Sequence, residues 1–227
     1  MESNKERVLV DVWDWPLRLL HWTNVFLILT LALLMLGNLG MDYLGVGEDT
    51  RDQVAKLHAT VGYVLVCTFS LRLLWGFLGN KYSSWCDIIP YKKEQREAIV
   101  HNIKWYLSGF KGGAAKVVGH DPLASLFYIA LFLVLISQAT TGLLLAGTEF
   151  KMFPGTIVVG ALGEHASEAL AEALEEVHEF GFWFIVFFLC AHLGGLVVHE
   201  IKEKTGLFSS MIHGKKYLPA GTETENQ

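Results

Sequence analysis

Four long apolar stretches constrain the fold of this 227-residue chain more than any other feature of its sequence. A helix that crosses a hydrocarbon core of about 30 Å needs roughly 20 residues at about 1.5 Å each. A hydrophobic content of 52% and a mean hydropathy of +0.37 favour a membrane protein over an ordinary soluble domain. The predicted spans cover about 17–37, 57–78, 123–146 and 178–199. The sequence therefore predicts an all-α membrane protein, a four-transmembrane-helix bundle.

The other segments are expected to complete one integral membrane domain over residues 1–218. Apolar residues recur at helical spacing in 94–110, which predicts a helix lying at the inner membrane interface. The Glu- and Ala-rich Ser167–Val177 segment predicts a separate short acidic helix outside the membrane, with Ser167 as its cap. Residues 219–227 lack an apolar cluster and are predicted to be a disordered tail. No small-residue cleavage site follows the first span, which is therefore expected to remain in the protein.

The orientation in the membrane follows from the basic residues, because Lys and Arg accumulate in short cytoplasmic loops. Of the eighteen basic residues, only Arg51, Lys56 and Lys151 lie in the first and third loops, which are otherwise acidic. Both termini are therefore predicted to be cytoplasmic, with two acidic loops outside. Four tryptophans near the predicted span ends are expected to form an interfacial aromatic belt: Trp13, Trp15, Trp22 and Trp75. No basic stretch suited to nucleic-acid binding is present.

Four of the nine histidines fall within the predicted spans: His21, His58, His178 and His192. Ionisable side chains are costly in a bilayer and usually face the interior of the bundle with a partner. The predicted topology places His58 and His178 near the outer ends of spans two and four. His192 follows His178 by fourteen residues, almost four helical turns or about 21 Å on the same face. It thus reaches the inner level, where span one places His21, and the histidines form an outer and an inner pair.

Two imidazoles at one level suit the two axial positions of a haem iron held between helices. Structural zinc normally takes four ligands, and each level supplies two. The sequence contains no Cys-x-x-Cys-His motif, so covalent c-type attachment is excluded. A proton relay is the competing interpretation, although the first three spans contain no Asp or Glu to accompany the histidines. Interhelical hydrogen bonding by histidine also remains open.

Four segments resemble successive parts of the b-type cytochrome subunit of membrane-bound nickel-iron hydrogenases, within the wider bacterial di-haem cytochrome b family. They are "WDWPLRLLHW", "KLHATVGYVLVCTFSLRLLWGFLGNKYS", "IKWYLSGFKGGAAKVVGHDPLA" and "VHEFGFWFIVFFLCAHLGG". The similarity extends over nearly the whole chain, to about Tyr217. The resemblance implies two b-type haems, with these axial ligands to the iron: His21, His58, His178 and His192.

The resemblance also implies a role in the bacterial inner membrane. Electrons would pass between a periplasmic redox protein, either a hydrogenase iron–sulfur subunit or a c-type cytochrome, and the membrane quinone pool. The chain would be the electron-transfer subunit of a quinone-reducing oxidoreductase, without a catalytic residue of its own. An axial pair fills both open positions of the iron, so the haems would relay single electrons rather than bind a substrate.

Six further residues are candidates for contacts with these cofactors. Arg72 lies fourteen residues after His58, on the same face at the inner level, and is a candidate for pairing with a haem propionate, as is Arg18. Snorkelling at a helix end is the competing interpretation. A group at the inner surface is a candidate quinone or proton site, with solvated helix ends as the alternative: His120, Asp121, His199 and Glu200.

Two functions of other classes remain open from the residues. The chain could be a haem-free proton-coupled transporter subunit, or a membrane anchor for a periplasmic enzyme. Visible absorption of the purified protein distinguishes both from a cytochrome.

Overall fold

The computed structural model describes residues 7–115, 117–162 and 164–219, with the backbone alone described at 162 and 164–168. The elements of this part of the chain are β1 (Arg7–Asp11), α1 (Trp15–Tyr43), α2 (Glu48–Leu78), α3 (Trp85–Ile88), α4 (Lys93–Leu107), α5 (Pro122–Phe150), α6 (Gly155–Leu162), α7 (Glu164–Glu203), α8 (Leu207–His213) and β2 (Lys215–Pro219).

The four long helices α1, α2, α5 and α7 are each long and apolar enough to cross a membrane. The prediction of an all-α membrane protein with four transmembrane helices is therefore confirmed. Each helix is longer than its predicted span, because polar flanking residues also adopt helix and the flanking Pro16 and Pro122 lie in the first turn, where proline is tolerated. The tail predicted at 219–227 lies outside the described residues from 220 onward.

The acidic segment before the fourth span is part of α7, so the prediction of a separate short helix at Ser167–Val177 was wrong. Ala, Leu and Glu favour helix, and no Gly or Pro separates this segment from His178. The proposed Ser167 cap lies among the side chains that the structure does not describe. In contrast, α4 occupies most of the predicted 94–110 helix. It ends before Gly109, whose φ of 70° lies in the left-handed region that glycine adopts after a helix.

The described residues divide into two compact units. The first unit contains 7–19, 72–130 and 188–219. In it, β1 and β2 pair antiparallel, with Arg7 opposite Pro219 and Asp11 opposite Lys215. The sequence analysis did not predict these two strands.

Two of the four tryptophans assigned to an aromatic belt have other roles in the first unit. Trp13 is buried, and its indole nitrogen donates to the Ser210 hydroxyl at 3.0 Å. The Trp75 indole nitrogen donates to the Asp14 carboxylate at 3.2 Å. Trp13 is thus packed inside the protein and the half-buried Trp75 has a protein partner, as indole N–H groups usually do; the interfacial position of both stays a prediction. Trp15, by contrast, is 67% exposed, as the belt interpretation expects.

The second unit contains 20–71 and 131–187 and includes segments of all four long helices. Polar contacts join these segments. The Thr68 hydroxyl donates to the Asn24 amide oxygen at 2.6 Å, which joins α2 to α1. The Tyr63 hydroxyl donates to the Phe153 carbonyl at 2.5 Å. Such bonds hold transmembrane segments in a fixed register, where lipid gives little hydrophobic drive between helices.

Candidate functional site

The second unit brings His58 on α2 and His178 on α7 next to each other. Their ring centres are 6.3 Å apart, and the ring planes cross at 73°. Sequence depth alone paired these residues as the outer histidines. They are separated by 120 positions in the chain, so only the association of α2 with α7 brings them together.

The separation of these rings fits two imidazoles on one metal. Metal–imidazole bonds are about 2.0–2.1 Å long and the ring centre lies roughly 1.15 Å behind the nitrogen, so two axial imidazoles have centres about 6.3–6.5 Å apart. The observed 6.3 Å lies within that interval. A direct hydrogen bond between the rings would bring the centres closer than this. The pair therefore has the spacing that a haem iron between two histidines requires.

Residues of α5 surround the His178 end of this pair. The Thr141 hydroxyl is 2.8 Å from Nδ1 of His178, and the Gln138 amide donates to the His178 carbonyl at 2.8 Å. A Cβ atom at Gly142 would lie 3.2 Å from Cε1 of the His178 ring. We call these three residues, Gln138, Thr141 and Gly142, the α5 cradle. It fixes both the backbone and the ring of His178.

Of the inner histidines, His192 belongs to the first unit and His21 to the second. The His192 ring is stacked on Phe188, with centres 5.6 Å apart and planes 11° from parallel. Tyr128 approaches the same ring edge-on at 5.9 Å. His21 packs edge-on against its neighbour Trp22 at 5.3 Å. Aromatic packing thus fixes the ring orientation of His192.

Four candidates for a quinone or proton site lie in the first unit, and each of them has a structural partner. Asp121 caps α5 by accepting from the Leu123 and Ala124 backbones at 2.9 and 3.0 Å, and it also accepts from the Asn102 amide. Glu200 accepts from the Leu207 backbone at 2.8 Å. His199 packs against Trp105 with ring centres 5.1 Å apart. These contacts differ from the solvated helix ends considered as the alternative.

The fourth candidate, His120, forms a mostly buried pair with Asp87, a residue that sequence reasoning missed. Asp87 accepts from Nδ1 of His120 at 2.7 Å and from its backbone at 2.8 Å. Burial lowers the pKa of the His120 imidazole, and the bond to Asp87 opposes that shift. Tyr128 lies against His120 at 5.7 Å between ring centres. The pair can hold a proton, and Tyr128 contacts both His120 and His192.

A buried lysine, Lys216, contacts the backbone next to His120. The Lys216 ammonium donates to the Val118 and Gly119 carbonyls at 2.9 and 2.7 Å and lies 4.7 Å from the Trp13 ring centre. Burial lowers the pKa of Lys216 to about 8, although Asp87 and Asp121 oppose the shift. Lys216 thus ties β2 to the loop that carries His120.

The two candidate propionate contacts also lie in the first unit. Arg72 is only 7% exposed, and its guanidinium lies 5.7 Å from the Trp85 ring centre. Arg18 donates from Nη1 to the Ile212 carbonyl. Its buried Nε makes no hydrogen bond to any residue that the structure describes. Arg18 therefore retains a buried donor suited to an anionic group.

Sequence reasoning missed Asp87, Tyr128 and the α5 cradle. The sequence does carry one signal for the cradle, because Gln138 and Thr141 are polar residues in the middle of an apolar span. Asp87 has no comparable signal, since it lies in a charged connection between spans.

Known proteins with similar sequences cover almost the whole chain. One relative, from Escherichia coli K12, is 27% identical and covers 94% of each chain. A second, from Rhizobium leguminosarum, is 28% identical over 95% of this chain and 92% of its own. A third, from Bradyrhizobium diazoefficiens, is 27% identical over 92% and 87%. All three are named as probable B-type cytochrome subunits of a Ni/Fe-hydrogenase, that of E. coli for hydrogenase 1.

The family assignment rests on a broader match. The sequence pattern of one family fits residues 12–214, which include all four long helices and the four histidines of the predicted pairs. A b-type cytochrome carries haem b, and four apolar helices make this chain a multi-pass protein of the bacterial inner membrane. The chain belongs to the prokaryotic cytochrome b561 family.

Proposed function

We propose that this protein carries electrons across the membrane through two b-type haems, from a periplasmic redox partner to the quinone pool. The observation that carries the proposal is the 6.3 Å separation of the His58 and His178 rings, which fits axial ligation of one iron. The outer haem is assigned to this pair. The inner haem is assigned to His21 and His192 on their predicted depth in the sequence, with Arg18 as a propionate contact.

The chain's own residues hold, orient and insulate these groups. A haem with two axial histidines supplies reversible one-electron transfer and has no open position for a substrate. The α5 cradle orients His178, and the stacked Phe188 ring orients His192. This division of labour predicts an electron carrier without bond-making chemistry.

The partner is proposed to be a hydrogenase, because the three relatives described above are named as hydrogenase subunits. Its iron–sulfur subunit, or a c-type cytochrome in its place, would dock near the outer haem. The first half of α7 presents exposed acids there, among them Glu172, Glu175 and Glu176. An acidic surface favours a basic patch on the partner, with association that weakens as salt rises.

The quinone is proposed to accept electrons near the cytoplasmic side, where reduction also requires protons. The His120–Asp87 pair supports this assignment, because a buried imidazole on a carboxylate can hold and pass on a proton. Tyr128 contacts both His120 and His192, which links the pair to the inner ligand. Asp121, His199 and Glu200 complete the proposed surroundings of the quinone.

The orientation is a separate prediction. Reporter fusions at Gly47, between α1 and α2, should be periplasmic, and fusions at Gly112, between α4 and α5, should be cytoplasmic, because the basic residues accumulate in the second loop. Activity of a periplasmic reporter at Gly112 would invert the assignment of outer and inner histidines.

The function itself is tested with the purified full-length protein. We expect a low-spin b-type absorption spectrum and two haems per chain by haemochrome titration. In membranes, a periplasmic donor should reduce the haems, added quinone should reoxidise them, and the first step should slow with salt. A colourless protein would contradict the proposal and favour a haem-free transporter or a membrane anchor.

A further inference from the structure

We infer that Thr141 is a positioning residue that selects the tautomer of His178 and thereby sets the reduction potential of the outer haem. The inference rests on the proposed ligation of that haem by His58 and His178. It adds a residue from α5, a helix that supplies no ligand in the proposal.

The direction of the hydrogen bond follows from the other contact of the Thr141 hydroxyl. A hydroxyl has one hydrogen, and that of Thr141 is donated to the Ser137 carbonyl at 2.8 Å within α5. The hydroxyl oxygen therefore accepts at its second contact, from Nδ1 of His178 at 2.8 Å. Nδ1 of His178 must carry the proton, and Nε2 keeps the lone pair that a metal requires.

Because the hydrogen bond between Thr141 and His178 is buried, water cannot easily replace it. Thr141 is 5% exposed, and the α5 cradle holds His178 from the same side through Gln138 and Gly142. Water therefore has little access to replace the hydroxyl, and a buried N–H without a partner is costly. The ring of His178 cannot turn without losing this bond.

The two proposed ligands of the outer haem differ in the hydrogen bonding of their Nδ1 atoms. Nδ1 of His58 is buried near the Leu31 backbone but makes no hydrogen bond of normal geometry to the described residues. The Thr141 side chain is thus the group that sets the basicity of a proposed ligand of this haem. Because an acceptor on the distal N–H makes a ligating imidazole more basic, it stabilises the ferric over the ferrous iron.

The test replaces the hydroxyl while keeping the shape of the side chain. In Thr141→Val, the outer haem should titrate at a more positive potential. A partner of this kind is typically worth about 10- to 100-fold in metal affinity. Only the difference between its effects on ferric and ferrous iron changes the potential, so we expect the ferrous-to-ferric ratio to rise by up to about tenfold, equal to about 59 mV for one electron. The low-spin electron paramagnetic resonance signal of the outer haem should shift as well. Thr141→Ser, which keeps the hydroxyl, should restore both values.

Thr140→Val is the matched control. Thr140 is the exposed neighbour, and its hydroxyl donates to the Ile136 carbonyl at 2.9 Å and bonds to none of the histidines whose side chains the structure describes. The haems of the Thr140→Val variant should titrate at the same potentials as those of the wild type. The outer haem is identified as the component lost in His58→Ala. If Thr141→Val titrates like Thr140→Val, the inference is wrong while the two-haem proposal stands; a wild type without haem would instead refute the proposed function.

Discussion

Replacement of His178 with alanine should lower the haem content from two per chain to one and abolish electron transfer from the periplasmic donor. The proposed outer haem would lose one of its two axial ligands, and the remaining His58 would face a gap where the second imidazole had been. The same haem should be lost in His58→Ala, because the two rings share one iron in the proposal. The double variant should be no worse than either single variant, since residues that act as a unit are not additive.

The measurements are haem per chain, the visible spectrum and the rate of haem reduction by the donor. His101→Ala is a suitable control, because His101 is an exposed histidine on α4. It should keep both haems and the full rate. Two haems in purified His178→Ala would exclude this residue as a ligand and leave the Thr141 contact as interhelical hydrogen bonding.

The parts of this protein that depend on local pattern were accessible from sequence. Apolar length predicts the four long helices without knowledge of their contacts, and helical periodicity with loop charge is enough to place His58 and His178 at one level. The 6.3 Å contact between them agrees with that placement. Two histidines that lie at one depth in different spans are therefore visible in a membrane sequence.

The parts that depend on contacts between distant segments were not accessible. The pairing of Arg7–Asp11 with Lys215–Pro219 joins the two ends of the described chain, and neither segment alternates strongly enough to be recognised alone. The contact of Trp13 with Ser210 was not accessible for the same reason, since the two residues lie far apart in the chain. The Asp87–His120 pair likewise exists only because residues 33 positions apart within the connection between α2 and α5 meet. Such contacts are decided by tertiary packing rather than by residue preference.

The continuous helix α7 shows a further reason why parts of the fold were not predicted from the sequence. The acidic segment before His178 was separated from the span because its polarity differs, yet polarity decides where a helix lies, not where it ends. Helix termini follow from breakers and caps, and neither glycine nor proline occurs from Ala169 to Glu179. The exposed acids are consequently on the same helix as His178.

Replacement of His192 with alanine should separate the entry of electrons from their exit. The proposed inner haem would be lost, while the outer haem, on His58 and the α5-supported His178, would be kept. The donor should therefore still reduce one haem per chain, but reduction of quinone should fall to background. His21→Ala should behave in the same way, because both residues are assigned to the inner haem by their depth in the sequence.

The alternative role of these two histidines is packing, and it predicts a different result. His192 is stacked on Phe188 and touched by Tyr128, so its loss would disturb an aromatic cluster whatever its function. Phe188→Leu disturbs the same cluster and leaves both proposed ligands in place. If packing were the only role, Phe188→Leu and His192→Ala should both lower thermal stability and both keep two haems. If His192 is an axial ligand, His192→Ala alone should lose one haem and disconnect the donor from quinone. Two haems with normal quinone reduction in both His21→Ala and His192→Ala would remove the inner pair from the electron path.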